Sequence, residues 1–425
     1  MNINKIRFVI FCLICTLIRF PNIYLFFHNP LFQTHTLARG LIILLFISLT
    51  QQLLNRFPRI TSYIVFYIFA VSLSILTAIN ITSFLSVYKD FIIGIILFFV
   101  AYSLTKKENI RTFCFILLCV AMIMLLFELL FILFPNEIGS VLTLVGNDMY
   151  LKFFSYQYMR GRLFGDSFTE TLFPFVALFL LRSKNKVVQI ILLTIITIVF
   201  IITVLFSGWR TKLIIYLFTL IGTFFVLLPR MRITILTVVI SLVVLFSVST
   251  AFRLRGNMTS LDRLLGQDIE GQQSQINNSR IVFLKEAIDI GLSSPLIGVG
   301  LGNYYEHLSH SSQLAKKSYS SAQMNHSFII IDDPHNLFFS SFANTGTVGF
   351  IALFLLIMQF AIRDIALWRY TAVELKLYMI SFWGVFIFAF FNPWMYFQTF
   401  SWFWILRGII EKGHDTLNKK NYEKN

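Results

Sequence analysis

One histidine, a few arginines and a pair of aspartates stand where chemistry could use them. The stretch Asp332-Asp333-Pro334-His335-Asn336-Leu337 runs on to Gly346-Thr347-Val348-Gly349. Proline is favoured at the first helical position and aspartate just before it, so Asp333-Pro334 reads as a helix start with His335 in the first turn. Gly346 follows after ten intervening residues and suits the end of that helix. A histidine near a helix N-terminus feels a positive dipole, which favours the neutral imidazole that a general base needs. Pro334 and Gly346 would equally serve as plain helix punctuation around an interfacial polar residue.

The arginines that could accompany such a base lie in apolar surroundings. Arg160 and Arg162 fall in Met159-Arg160-Gly161-Arg162-Leu163-Phe164-Gly165, just before an apolar run. Arg210 sits in the short turn Ser207-Gly208-Trp209-Arg210-Thr211-Lys212. Arg280 opens a stretch carrying Ile281, Leu284, Ala287 and Ile288 at helical spacing. Guanidinium groups that converge suit a diphosphate or another oxyanion, because each offers a planar fork of donors. Single arginines at membrane edges more often snorkel to lipid phosphates.

Other residues carry weaker signals. Asp332 and Asp333 could suggest a metal, yet one of them serves better as a helix cap. His307, His310 and His326 show no ligand spacing to one another. Glu128 lies inside an apolar run, where a carboxylate is a functional hypothesis by default. Cys12, Cys15, Cys114 and Cys119 all sit in apolar runs and read as small hydrophobes. The chain holds no Gly-rich phosphate loop, no Gly-x-Ser-x-Gly elbow and no Cys/His cluster.

The elements that must position these residues are membrane helices. Of 425 residues, 57% are hydrophobic, 13% are charged and 49 are Phe, with a mean hydropathy of +0.77. That composition describes an all-α, polytopic integral membrane protein. Apolar runs give twelve candidate spans, at roughly 7–27, 37–54, 60–82, 88–105, 112–134, 167–181, 187–206, 212–228, 233–252, 348–362, 374–391 and 394–410. The first run lacks a small-residue cleavage site and is expected to stay as a helix. With both termini cytoplasmic, the inside segments hold 20 of the 35 basic residues against six acidic ones, and so carry +14 of the net +15. The positive excess is therefore a topology signal. Scattered over short loops, it forms no patch for nucleic acid.

This orientation turns three segments outward: 135–166, the turn around Arg210, and a long stretch from about 253 to 347. Loops of that last size are usually functional. Within it, 281–290 reads as an amphipathic helix, Gly291 to Gly302 as turns, and Ser309 to Ser327 as the most mobile piece. The organisation expected is helices 1–9 over 1–252, a large outward loop over 253–347, helices 10–12 over 348–412, and a cytoplasmic tail over 413–425.

Together these features resemble the O-antigen ligase and O-antigen polymerase (Wzy-type) superfamily of membrane glycosyltransferases. Arg280-Ile281-Val282-Phe283-Leu284 is similar to the family's Arg-x3-Leu, and Pro295-Leu296-Ile297-Gly298-Val299-Gly300 to its Pro-Leu-x-Gly-x-Gly turn. His335 with Gly346 is similar to its His-x10-Gly. Arg162 and Arg210 resemble two further outward arginines of the family. This chain departs from it at Asp166–Thr171, where an Asn-Pro-Asn-like run is common, and at Trp209, where Ser is common.

The resemblance implies a GT-C-like fold of about 12 transmembrane helices with one large outward loop. It implies an inverting glycosyltransferase without metal, nucleotide or other cofactor, in the bacterial inner membrane with its site facing the periplasm or exterior. The donor would be an undecaprenyl-diphosphate-linked glycan, the acceptor a glycan or lipid A–core, with membrane lipids around both. On this reading Arg162, Arg210 and Arg280 bind the diphosphate, and His335 and Arg280 are catalytic. A polysaccharide flippase or other transporter is the competing class. Against it stand spans almost free of charge and halves that do not resemble each other.

Overall fold

A computed structural model of the chain describes residues 3–19, 33–54, 57–134, 169–180, 186–206, 210–227, 243, 246–247, 284–308, 334, 336–391 and 397–422. Among them the regular elements are helices, as backbone buried in a bilayer demands when it must satisfy its own hydrogen bonds. They are α1 (Ile3–Arg19), α2 (Thr34–Leu54), α3 (Thr61–Leu73, drawn out by a 3-10 turn Ser74–Thr77), α4 (Ile81–Leu104) and α5 (Lys107–Leu133). A 3-10 turn (Thr169–Leu172) leads into α6 (Phe173–Leu180), followed by α7 (Lys186–Phe206) and α8 (Arg210–Leu227). After these come α9 (284–293), a 3-10 turn (Tyr304–His307), α10 (Leu337–Leu367), α11 (Val373–Phe391) and α12 (Phe397–Tyr422).

Six of the helical segments are long and apolar enough to cross a membrane: Thr34–Leu53, Ile81–Leu104, Asn109–Leu130, Arg210–Leu227, Leu337–Tyr370 and Val373–Phe391. Their outward faces expose large apolar side chains, such as Leu44 and Ile47 on α2, Leu126 on α5, and Ile351, Met358 and Ile365 on α10. Water would disfavour such a surface and lipid accepts it. The chain is a multi-pass membrane protein. The expected span at 233–252 and the outward segment 135–166 lie outside the described residues, residues 243 and 246–247 apart.

The core gathers around α12, which packs along α4 more extensively than on any other described helix. Phe400, Trp402, Phe403 and Trp404 are fully buried there, and Phe98 meets Trp404 edge-on at 5.8 Å between ring centres. Cys12, Cys15 and Cys114 are buried among such apolar side chains and Cys119 is exposed, all four as free thiols.

Connectivity sorts the bundle into two ends. α4 runs from the end where Asn80 caps it to the end where Tyr102 hydroxyl donates to Asp415 Oδ2 at 2.9 Å. α5 starts from that second end after a two-residue link and returns, so Glu128, about 30 Å along it, is back at the first. The first end also receives α9 and the turns of 294–303, and is called the loop end below.

At the opposite end lies a buried ionic network that the sequence reading counted as loop charge. Arg407 is fully buried, donating to Asp364 Oδ1 and Glu411 Oε1 at 2.9 Å each and lying 4.2 Å above the Phe360 ring. Asp364 also accepts from Trp383 Nε1, and Arg363 pairs with Glu411 and Asp415 at 2.8 and 2.9 Å. These charges nearly cancel one another. The positive bias of that end rests on the remaining basic residues.

Candidate functional site

At the loop end, α10 is broken at Gly346, whose backbone adopts φ 64°, ψ −167°. That region is closed to residues with a side chain. In an unbroken helix Thr347 and Val348 N–H would bond to Ala343 and Asn344 carbonyls. Here both rungs are exchanged with the turn that follows α9. Thr347 N–H donates to Pro295 O at 2.8 Å and Val348 N–H to Leu296 O at 3.1 Å. The freed carbonyls of Ala343 and Asn344 accept from Val299 and Gly300 N–H at 3.0 Å each. Every polar group released by the kink is thus satisfied. Leaving one unmade where water is scarce would cost about 1–3 kcal/mol.

Two glycines make this exchange possible. Gly298, at φ 71°, lies against the backbone of Asn344, Thr345 and Gly346, and Gly346 lies against Leu296 and Gly298. A methyl group on either would overlap main-chain atoms of the other strand, which have nowhere to move. The Pro-Leu-x-Gly-x-Gly turn and the glycine that follows His335 after ten intervening residues are two halves of one interlock.

The same turn is fixed to the α3–α4 hairpin. Asn303 is fully buried. Its Oδ1 accepts from Asn80 N–H at 2.6 Å, and its Nδ2 donates to Asn80 O and Leu301 O at 3.2 Å each. Asn80 in turn caps α4, its Oδ1 accepting from Ser83 N–H at 3.0 Å. Ala287, Ile290, Val299, Tyr304, Leu308 and Ala343 form a small separate core beneath. The inward face of α9 is therefore Ala287 and Ile290, whereas Ile288, expected inside from its spacing, is 39% exposed. Helix α9 runs on through Gly291, and the turns begin at Ser294.

The first segment of α10 is thereby held at its far end while its start points back to the loop. That start is Leu337, one turn later than Asp333-Pro334 suggested, and this corrects the sequence reading. Asn336, extended at φ −152°, ψ 122°, is the cap: its Oδ1 accepts from Phe338 and Phe339 N–H at 3.0 and 3.2 Å. A carboxamide that takes two orphan donors outcompetes a cap three residues upstream. His335 therefore precedes the cap in the chain and is not in the first turn. Gly346 does end the first segment, but the chain continues as helix across the 347/348 boundary.

His335, Arg280 and Arg162 themselves lie outside the described residues, as do Arg160, Asp332, Asp333, His310, His326 and the stretch Ser309 to Ser327. Arg210 is described. It is the first residue of α8, half-buried, in helix where a turn was expected. In the 3-10 turn Tyr304–His307, burial pushes the His307 imidazole below its ordinary pKa, with Glu306 opposing. No cluster of metal-ligating side chains occurs among the described residues.

Beside Arg210 the structure assembles charges that the sequence reading left apart. Lys212, in the first turn of α8, is 2% exposed and reaches Glu170 Oε1 at 3.3 Å and Glu128 Oε1 at 3.5 Å. Thr169 hydroxyl also donates to Glu128 Oε1, at 3.0 Å. In the sequence Glu128 reads as a lone intramembrane carboxylate, and Glu170 as a departure from a motif. The signal available was their place: opposite charges at the same ends of neighbouring apolar runs.

Residues 195–354 match the family model described as O-antigen ligase. The matched span includes Arg210, Arg280, the Pro295–Gly300 turn, His335 and Gly346, while Arg162 falls before it. Comparison with curated proteins finds no match for the chain. The family match supports the resemblance read from the motifs and, with it, an O-antigen ligase-type function in polysaccharide synthesis.

Proposed function

We propose that this chain, a relative of the O-antigen ligases through residues 195–354, is a membrane glycosyltransferase. It moves a glycan from an undecaprenyl-diphosphate carrier to a sugar hydroxyl of lipid A–core or of another lipid-linked repeat. The bond between the acceptor oxygen and the anomeric carbon forms as the bond from that carbon to the diphosphate oxygen breaks. The acceptor proton goes to His335 and the electron pair to the diphosphate. Arg280, Arg210 and Arg162 stabilise that departing charge, which needs neither metal nor nucleotide. Attack from the face opposite the leaving group inverts the anomeric centre.

The observation that carries this reading is the exchange of helix rungs between the Pro295–Gly300 turn and Gly346. It ties the helix that begins four residues after Arg280 to the helix that begins two residues after His335, which supports a reading in which a base and an oxyanion donor serve one substrate. In this reading 253–347 is the outward loop of an inner-membrane protein whose helices 1–9 and 10–12 flank it and whose tail, 413–425, is cytoplasmic.

The test is the full chain in liposomes with a defined lipid-linked donor and candidate acceptors. Wild-type protein forms a glycosidic bond of inverted configuration and releases lipid diphosphate. His335→Ala and Arg280→Ala, inserted normally, each lose roughly 100-fold or more. Full transfer by both variants overturns the assignment. One observation speaks for a transporter instead: the buried ions Glu128, Glu170 and Lys212, since transport sites need intramembrane charge. Movement of lipid-linked glycan across the liposome without bond formation would establish that class.

A further inference from the structure

Three ionisable side chains beside Arg210 are each at least nine-tenths buried: Lys212 at 2%, Glu128 at 5% and Glu170 at 1% exposed. They come from three segments, α8, α5 and the 3-10 turn before α6, and Lys212 Nζ reaches both carboxylates. Apolar side chains of similar size would hold the same helices together at least as well, because burying charge costs several kcal/mol per ion. In a membrane helix such groups are expensive and mark function. Both carboxylates approach the Lys212 ammonium group, and Glu170 Oε2 has no donor among the described residues.

Lys212 cannot itself meet a substrate in this position. It does fix the first turn of α8. Two residues apart on a helix is about 200°, so with Lys212 pulled into the bundle Arg210 stands on the other side of the same turn. A second tie lies two turns further on, where Thr219 hydroxyl donates to Glu170 O at 3.1 Å. The 3-10 turn therefore holds α8 at two heights and leaves it no freedom to roll.

We infer that Lys212, clamped between Glu128 and Glu170, is a positioning residue that sets the azimuth of Arg210 toward the donor's diphosphate. This rests on the role given to Arg210 above. Substitution of Lys212 removes the ammonium group that Glu128 and Glu170 both approach. The tie between α8, α5 and the 3-10 turn loosens, and Arg210 loses its aim while keeping its charge.

The experiment compares steady-state transfer by wild type, Arg210→Ala, Lys212→Met and the double variant, full chains in liposomes, with donor and acceptor varied separately. Lys212→Met is expected to lower kcat/KM for the donor roughly 100-fold, as misplacement by about 1 Å does, with the acceptor KM unchanged. In the Arg210→Ala background it is expected to add nothing. Lys212→Arg, which keeps the charge, restores a large part. Should Lys212→Met fail to insert, Glu170→Gln serves, being of equal size and expected to shift the donor term alone. Multiplying losses in the double variant, or equal losses for donor and acceptor, would overturn the inference while sparing Arg210's own role. Wild-type kinetics for Arg210→Ala would overturn both.

Discussion

Gly298 and Gly346 lie back to back, each occupying the space in which the other's side chain would have to grow. Both have positive φ, and between them the turn after α9 replaces two rungs of the α10 ladder. The kink is therefore a joint between two segments. It is not a defect of one helix. About 13 Å of helix, 337–345, projects from this joint to the Asn336 cap next to His335.

Alanine at either position of the joint is expected to destabilise the protein by about 1–3 kcal/mol from backbone strain alone, and by more from overlap with the facing main chain. Apparent melting in detergent should fall for Gly298→Ala and for Gly346→Ala. Since one joint is broken in both, the double variant should fall little further than the worse single. Additive losses would show two unrelated sites.

Asn303 is the peg between this turn and the α3–α4 hairpin. Asn303→Ala orphans the half-buried Asn80 N–H, at about 1–3 kcal/mol, while Asn80 O keeps its bond from Phe84 N–H. Hydrogen exchange should quicken across 78–83 and 298–308 together, with α12 amides unchanged. Quickening of one segment without the other would separate them.

The Asn336 cap offers a way to move His335 gently. Loss of the cap in Asn336→Ala costs about 1 kcal/mol, too little to unfold the chain. Glycan transfer should drop by much more than the melting temperature suggests, and Asn336→Asp, which keeps the acceptor oxygen, should recover it. Equal transfer by Ala and Asp variants would detach the cap from the chemistry.

Base catalysis by His335 has a defined acid limb. The base works as neutral imidazole, so transfer should be full at alkaline pH and decline on the acid side as the imidazole takes up a proton. In His335→Ala that limb should vanish along with most of the activity. A residual rate with the same limb would assign the proton to another group.

At the opposite end, Arg407→Met should destabilise by about 3–5 kcal/mol, because Asp364 is left buried without its arginine and Glu411 keeps Arg363 alone. Replacing all three with apolar residues should return most of the loss. Insertion yield and melting temperature report both. A triple variant as weak as the single would mean that the network does more than compensate its own charges.

Apolar patterning in the sequence set the class of protein and the place of five of its helices. Apolar runs at 37–54, 88–105, 112–134, 187–206 and 374–391 lie within or against α2, α4, α5, α7 and α11, because a bilayer leaves backbone few choices. The sequence also supplied the motif glycines and the resemblance that the family match over 195–354 supports. What it could not show was why the glycines are there. A turn at 298 and a glycine at 346 are 48 positions apart, and their meeting depends on helices in between. Asn336 overrode Asp333 as the cap through hydrogen bonds that only the folded chain displays. Glu128, Glu170 and Lys212 looked like three stray charges, because pairing across 84 positions leaves no local pattern. Local periodicity decided the helices. Packing alone decided which polar atoms each of them would have to satisfy.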